Sequence, residues 1–262
     1  MTKKYALAVI LSLTATTVLA TPFDGFYAGA DIGMSQAQFN KDQTVSLKAM
    51  IEDTPIFQIP ITNKKKLSDN AANGNLDIGF SKVFKQHFYL GLEANADFQN
   101  LQVTNNPDVT ESVSGFQLNM PTTVNLKNEF AVTLNPGFVF NNNTLIYGKI
   151  GPAWGRFNID GDATYNQNLG VPASASANVE DDDSYDCGLR LGLGIEHYLN
   201  DNLSLKLEYI NTNYGTVQSD DPTTGVITTN PPDSGLTGTL SNSDKISARN
   251  NTILFGLNYR FG

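Results

Sequence analysis

The sequence has little of what a disulfide-linked protein or a helical membrane protein requires. Cys187 is the single cysteine in 262 residues, so no intramolecular disulfide can form. After residue 20, no stretch approaches the roughly 18 to 20 consecutive apolar residues of a membrane-spanning helix. The sequence therefore argues against a disulfide scaffold and against helical spans. Strands that cross a membrane escape this test, because only every second residue of such a strand faces lipid.

Basic residues and histidines are also scarce. The chain has 17 Lys and Arg against 26 Asp and Glu, a net charge of -9. Loss of Lys3 and Lys4 with an N-terminal signal would remove two positive charges and change the net charge from -9 to -11. Such an acidic chain is not expected to bind nucleic acid. His87 and His197 are the two histidines, and their surroundings in the sequence predict no catalytic residue, no metal site and no cofactor.

The N-terminus has the features of an export signal. Lys3 and Lys4 precede an uncharged apolar run that ends in the small-x-small tripeptide Val18-Leu19-Ala20. We predict a cleaved signal peptide over residues 1–20 and one domain over residues 21–262. The alternative is a membrane helix that stays in place, but no basic stop-transfer segment follows Ala20.

Alternation of apolar and polar residues with a period of two recurs along the rest of the chain. Each of these segments has roughly the 9 to 11 residues that a tilted transmembrane strand needs. The clearest runs from Phe88 to Gln99, with apolar residues at even positions and Glu93 and Asp97 among the residues at odd positions. The predicted strands cover about 26–39, 74–84, 88–99, 127–140, 144–158, 184–199, 203–217 and 246–262.

The connections between these strands alternate between short and long. Residues 85–86, 141–143 and 200–202 are predicted tight turns, whereas 40–73, 100–126, 159–183 and 218–245 are predicted long polar loops. This asymmetry is typical of outer-membrane barrels. We therefore predict an all-β fold, an eight-stranded antiparallel up-and-down transmembrane β-barrel with short periplasmic turns and long extracellular loops.

Aromatic residues near the strand ends are consistent with two girdles at the membrane surfaces. The girdle residues predicted at the turn end are Phe84, Phe88, Phe138, Phe140, Tyr198, Tyr259 and Phe261. Those predicted at the loop end are Phe39, Phe98, Trp154, Phe157, Tyr209 and Tyr214. A soluble lipocalin-type barrel is the alternative, and it would instead point the apolar residues inward around a ligand.

The polar positions of the strands predict a charged barrel interior. An eight-stranded barrel is just wide enough to be filled by its own side chains. The residues predicted to form this interior polar network are Asp31, Asp77, Glu93, Asp97, Glu129, Lys149, Arg190, Glu196, Lys206, Glu208 and Arg260. We interpret the network as a structural plug of paired charges. Because carboxylates outnumber bases, a narrow cation-preferring pathway is the alternative.

The chain resembles the small outer-membrane β-barrel family, the OmpX-like and opacity-like proteins related to the OmpA membrane domain. The resemblance covers essentially the whole mature chain and rests on "GFYAGADIG", "GLGIEHYLNDNLSLKLEYI" and the terminal "FGLNYRFG". It implies an assembly signal at Tyr259 and Phe261, followed here by one trailing glycine. It also implies an outer-membrane location, contact with membrane lipid and lipopolysaccharide, insertion by the barrel-assembly machinery, and a monomer.

The long loops carry the remaining functional hypotheses. The leading one is a non-enzymatic structural protein whose loops meet surface ligands in adhesion or envelope integrity. The alternatives are a low-conductance passive channel and a lipid-active enzyme, although neither histidine has the His-x-Ser spacing of barrel lipid A deacylases. The acidic run Val179 to Asp186 is predicted as a solvated loop rim or a Ca²⁺ site. The run "NKKK" at 63–66 is predicted to lie in solvent or to touch lipid phosphates.

Overall fold

The computed structural model describes most of the chain beyond the N-terminal segment. The described residues are 22–51, 54–105, 108–111, 116–119, 121–141, 143–167, 173–218, 223–229 and 236–261. The predicted signal peptide lies outside them. Within these ranges, no helix is long and apolar enough to cross a membrane.

The described part of the chain forms twelve antiparallel strands. They are β1 (Gly25–Ile51), β2 (Thr54–Phe84), β3 (Phe88–Phe98), β4 (Leu101–Asn105), β5 (Asp108–Glu111), β6 (Phe116–Asn119), β7 (Thr122–Phe140), β8 (Thr144–Gln167), β9 (Ala173–Tyr198), β10 (Leu203–Gln218), β11 (Thr223–Thr229) and β12 (Leu236–Phe261). The tight turn between β2 and β3 requires positive φ at Lys85 (50°) and Gln86 (65°). Because consecutive strands run antiparallel, the predicted short turns after β2, β7 and β9 lie at the same end of the strands, which is here called the turn end. The opposite end is the hairpin end.

Eight of these strands close into a ring. The order around the ring is β1, β2, β3, β7, β8, β9, β10, β12 and back to β1. The closing pair, β1 with β12, runs from Phe26 opposite Phe261 to Ile51 opposite Leu236. A closed ring has no free sheet edge. This suits a hydrocarbon solvent, because hydrocarbon cannot hydrogen-bond to unpaired backbone groups. The predicted eight-stranded antiparallel barrel is confirmed.

The strands are much longer than the sequence pattern predicted. β2 has 31 residues, three times what a membrane crossing needs. The four predicted loops, 40–73, 100–126, 159–183 and 218–245, are largely strand, so these predictions were wrong. Backbone pairing continues there because β1 stays hydrogen-bonded to both β2 and β12 far beyond residue 40. Water replaces lipid outside, and the outward residues no longer need to be apolar.

An exposed apolar belt surrounds the barrel next to the turn end. Ile32 is 73% exposed and Leu193 is 68% exposed, although both lie within strands that are hydrogen-bonded on both sides. Behind them the interior is polar, as at Asp31, which is buried. So continuous an apolar surface would be unfavourable in contact with water. The arrangement is the reverse of a lipocalin, so the soluble alternative is wrong.

The polarity of the two faces inverts beyond the belt. On β1, Met34 is exposed to the outside, whereas Phe39, five residues further, is buried inside. The hairpin-end cluster formed in this way contains Ala37, Phe39, Leu101, Val103, Val124, Leu126, Phe157, Ile159, Tyr214, Ile246 and Ala248. Above the membrane the barrel is therefore built like a soluble protein, with apolar residues inside and polar residues outside.

A second apolar cluster closes the turn end. This turn-end cluster contains Phe23, Val83, Tyr89, Val139, Leu145, Tyr147 and Tyr198. Four predicted girdle residues thus lie inside the barrel, and their assignment is corrected: Phe39, Phe157, Tyr214 and Tyr198. They occupy positions where the strand has left the hydrocarbon, so burial in the interior removes them from water. The other predicted girdle residues are exposed on the outer surface.

Candidate functional site

The charged interior lies between the two apolar clusters. All eleven residues of the predicted network are buried, with at most 4% of the surface of any of them exposed. They face inward because successive strand residues point to opposite faces, and each occupies the phase opposite to the exposed apolar residues. The network has three parts, centred on Lys149 with Lys206, on Arg190, and on Arg260.

Lys149 of β8 neutralises two carboxylates from different walls of the barrel. Its Nζ lies 2.7 Å from Glu93 Oε1 on β3 and 2.6 Å from Glu208 Oε1 on β10. Glu93 also accepts hydrogen bonds from the Asn95 amide at 2.8 Å and the Asn135 amide at 3.1 Å. Charges so far from water are stable only with this kind of pairing.

Lys206 of β10 makes the second bridge at this level. Its Nζ lies 2.6 Å from Asp77 Oδ2 on β2 and 3.1 Å from Asp31 Oδ2 on β1. The second oxygens of both aspartates, Asp31 Oδ1 and Asp77 Oδ1, are buried and have no hydrogen-bond partner among the described residues. One ammonium group thus holds two carboxylates that would otherwise repel each other.

Arg190 of β9 forms the part nearest the hairpin end. Its guanidinium donates to Asp97 Oδ2 at 2.5 Å, to Asn95 Oδ1 at 2.8 Å, and to Glu129. Glu129 also accepts a hydrogen bond of 2.8 Å from the Thr212 hydroxyl. The planar guanidinium can serve several acceptors at once, so it ties β9 to β3 and β7 through the interior, and Glu129 extends the link to β10 through Thr212.

Arg260 joins the network to the turn end. It donates to the Phe23 carbonyl at 2.8 Å and to Ser81 Oγ at 2.6 Å, and it lies 3.5 Å from Glu196 Oε1. The guanidinium also lies over the Phe23 ring, 5.5 Å from its centroid. Tyr198 donates to the Pro22 carbonyl. Residues 22 and 23 therefore fold back into the barrel mouth and close it.

Two tyrosines that were not predicted from the sequence also belong to this network. The Tyr147 hydroxyl donates to Glu208 Oε1 at 2.5 Å, and its ring lies over Gly194 on the neighbouring strand. Tyr27 is placed in the same way over Gly79 and reaches Glu93. A Cβ at either glycine would overlap the ring. This signal is hidden in the sequence, because cross-strand register must be known before the glycine and the tyrosine can be matched.

The arrangement suits a packed interior better than a reaction centre. The seven carboxylates face four bases, and each base contacts at least one carboxylate. His87 and His197 are exposed at the turn end, where His87 stacks on Phe138 and His197 Nδ1 lies 2.9 Å from Thr144 Oγ1. Among the residues with described side chains, no group of three His, Cys, Asp or Glu is arranged to hold a metal ion.

The predicted assembly residues lie on the lipid-facing surface at the turn end. Tyr259 and Phe261 are both about half exposed, and their rings meet edge to face with centroids 5.3 Å apart. They pair with Ala28 and Phe26 of β1 at the barrel seam. Gly262 lies outside the described residues.

The two charged runs lie on strands rather than in loops. Val179 to Asp186 belongs to β9, and the predicted loop rim was wrong because this segment pairs with β8. The lysines of "NKKK" lie on β2, where Lys64 Nζ is 3.2 Å from Asp42 Oδ2 and Lys65 donates to Asn105 Oδ1 at 2.8 Å. Lys66 is exposed.

Comparison with known proteins gives a family and several similar structures. The family model described as "Outer membrane protein beta-barrel domain" matches residues 5–261. No curated protein matches the chain. Outer membrane protease OmpT from Escherichia coli is similar over 94% of this chain and 100% of its own, with 10% identity and a TM-score of 0.43. OprG from Pseudomonas aeruginosa is 17% identical over 91% and 96%, with a TM-score of 0.39. Ail, the attachment invasion locus protein of Yersinia pestis, is 14% identical over 91% and 99%, with a TM-score of 0.33.

Proposed function

The chain belongs to the family of outer-membrane proteins with a β-barrel domain, and we propose that it is a non-enzymatic structural protein that presents rigid hairpins at the cell surface. The predicted resemblance and the predicted outer-membrane location are confirmed by this membership. With the usual orientation of such barrels, the turn end is periplasmic and the hairpin end is extracellular. Residues 1–20 act as the export signal in this proposal.

The observation that carries the proposal is the filled interior. The turn-end cluster, the polar network and the hairpin-end cluster follow one another along the barrel axis, and each consists of buried side chains. An ion that crossed this interior would have to displace paired charges and pass through two apolar layers. We therefore expect the barrel to be an anchor rather than a pore.

Planar-bilayer recording at high salt tests this reading. The purified protein should give no discrete conductance steps. A passive channel is the second candidate, favoured by the seven buried carboxylates against five buried bases among the described residues, the fifth base being Lys41. It predicts cation-selective steps. In that case Phe157→Ala, which opens the hairpin-end cluster, should increase the conductance. Trp154→Ala should not change it, because Trp154 faces outward. Steps with this dependence would replace the proposal by the channel.

The length of the hairpins supports a role at the cell surface. From Ala72, near the top of the belt, β2 extends back to Thr54. At about 3.3 Å per residue and a tilt of about 40°, this segment rises on the order of 40 Å above the hydrocarbon. Paired strands on a closed barrel hold such tips at a fixed height, which suits contact with other cells or with large surface ligands.

A shortened hairpin tests the surface role. Asp42 lies opposite Lys64, so residues 43–63 can be replaced by an Asn-Gly turn that closes the ladder at this pair. Cells that carry the native protein should bind to epithelial cells or extracellular-matrix proteins more strongly than cells with the shortened one. Heat-modifiable migration on gels checks that the shortened barrel is folded. Equal binding by both would rule out adhesion through this hairpin.

The end of β12 is proposed to be read by the barrel-assembly machinery. Phe261→Ala should leave more unassembled protein in the periplasm than Phe255→Ala, which removes a lipid-facing aromatic of similar exposure from the same strand. Pulse-chase labelling with protease protection measures the unassembled fraction. Equal fractions for the two variants would show that Phe261 only contributes contact with lipid.

A further inference from the structure

The outer surface of β12, β1 and β2 carries a patch of cations immediately above the apolar belt. We propose that this patch, centred on Arg249 and Lys66, binds the phosphorylated glycolipid headgroup of lipopolysaccharide. The inference goes beyond the anchoring role, because it assigns a specific lipid to one wall of the barrel. It rests on two adjoining recesses, on two cations that have no carboxylate partner within the described part of the chain, and on the distribution of charge around the barrel.

The lower recess lies at the edge of the hydrocarbon. It has a volume of about 500 Å³ and is lined on one side by the apolar residues Met34 and Ile253, and on the other by polar residues that include Asn251. The Asn251 amide oxygen is held by the Tyr209 hydroxyl at 3.1 Å and by Asn211 at 2.8 Å. The recess thus changes from apolar to polar in the direction in which an acyl chain meets its headgroup.

The upper recess continues outward from this point. It has a volume of about 350 Å³, and its lining includes Lys66, Gln38, Asn40 and Asn213. Arg249 lines both recesses. Gln38 and Asn40 of β1 lie between the two cations, opposite Arg249 and Lys66 respectively. Since neighbouring strands are about 4.8 Å apart, these long side chains can converge on one headgroup, with amides beside them as donors to sugar and phosphate oxygens.

The two cations are free to bind an anion. Among the described residues, neither Arg249 nor Lys66 forms a salt bridge, whereas their neighbour Lys64 is paired with Asp42. The guanidinium and the ammonium are exposed, so phosphate can reach both. An Arg with a Lys beside it is a common phosphate-binding combination.

The distribution of charge separates this wall from the rest of the barrel. The chain is acidic overall, at -9. On β8 the side chain of Asp160 is exposed, and this carboxylate disfavours phosphate on that side of the barrel. The cationic wall is thus the one that matches an anionic headgroup. Lys127 on β7, across the ring from β12, is a half-buried cation outside the patch and serves as the control.

Native mass spectrometry of the full-length mature protein in detergent micelles tests the proposal. Bisphosphorylated lipid A is titrated in the presence of excess phosphatidylglycerol. The double variant Arg249→Gln/Lys66→Gln should bind lipid A at least about tenfold more weakly, as expected for the loss of two charge-assisted contacts. Lys127→Gln should bind like the native protein. Lipid A without its phosphates should bind the native protein as weakly as bisphosphorylated lipid A binds the double variant.

Three results would overturn the assignment. They are an equal loss in Lys127→Gln, unchanged binding in the double variant, and binding that does not depend on the phosphates. Displacement of lipid A by the excess phosphatidylglycerol would show a general preference for anionic lipids, which also contradicts a lipopolysaccharide site. Heat-modifiable migration of each variant establishes that the barrel is folded before binding is measured.

Discussion

Replacement of Lys149 by methionine should destabilise the barrel more than any single change on its outer surface. The substitution leaves Glu93 and Glu208 buried without their shared ammonium group, which lies 2.7 and 2.6 Å from them in the native protein. Removal of one partner from a buried ion pair costs about 3 to 5 kcal/mol. Both carboxylates keep a tyrosine hydroxyl, from Tyr27 and Tyr147, and these bonds limit the loss. We therefore expect the free energy of unfolding to fall by about 4 kcal/mol.

Urea unfolding in lipid vesicles measures this loss. Trp154 is the single tryptophan and faces the lipid, so its fluorescence reports unfolding without a label. The exposed Lys85→Met is the control and should change stability by less than about 0.5 kcal/mol. The double variant Lys149→Met/Glu208→Gln should recover about 1 to 2 kcal/mol, because it removes one of the stranded charges. A loss below about 1 kcal/mol in the single variant, or no recovery in the double variant, would refute the reasoning.

Other predictions concern the packing of the interior and the stability of the whole barrel. Gly194→Ala should lower the free energy of unfolding by about 1 to 3 kcal/mol, because the added Cβ would overlap the Tyr147 ring. Gly148 faces outward and has room for a Cβ, so Gly148→Ala should lower it by less than about 1 kcal/mol in the same urea assay. Phe157→Ala in the hairpin-end cluster should lower the free energy of unfolding by about 3 to 5 kcal/mol, and the lipid-facing Phe130→Ala should lower it clearly less. Equal losses in the two variants would contradict the inverted polarity of the strands. The native protein should migrate faster on a gel before boiling than after it, and identical migration would contradict a stable barrel.

The transmembrane part of the fold follows from period-two alternation. Where lipid lies outside and charge inside, every strand has to alternate, and the strand predicted at 88–99 is observed at Phe88–Phe98. The inward charged positions follow from the same alternation. Their pairing does not, because the contact of Lys149 on β8 with Glu93 on β3 spans the intervening β7 and depends on the register of these three strands.

The hairpin-end part of the fold could not be predicted from the same rule. Beyond Met34 the apolar residues move from the outward to the inward phase, so a single alternating pattern ends there. A weaker signal remains in the predicted loops, where apolar residues occur two positions apart, as in Leu101 with Val103 and Val124 with Leu126. These pairs form the hairpin-end cluster. The sequence signal of the longer strands is therefore an alternation that changes phase and does not stop.

The inverted polarity of the strands also fixes how deep the protein sits in its bilayer. A shift of the barrel by two residues along each strand corresponds to about 5 Å along the membrane normal. In one direction this shift would place Gln36 and Asn251 among the acyl chains, and in the other it would expose Met34 and Ile253 to water. Tilting of the barrel does not relieve this, since the change of phase seen on β1 also occurs across the ring, at Val124 and Leu126 on β7. Hydrophobic mismatch must therefore be accommodated by the lipids, which thin or thicken around the barrel.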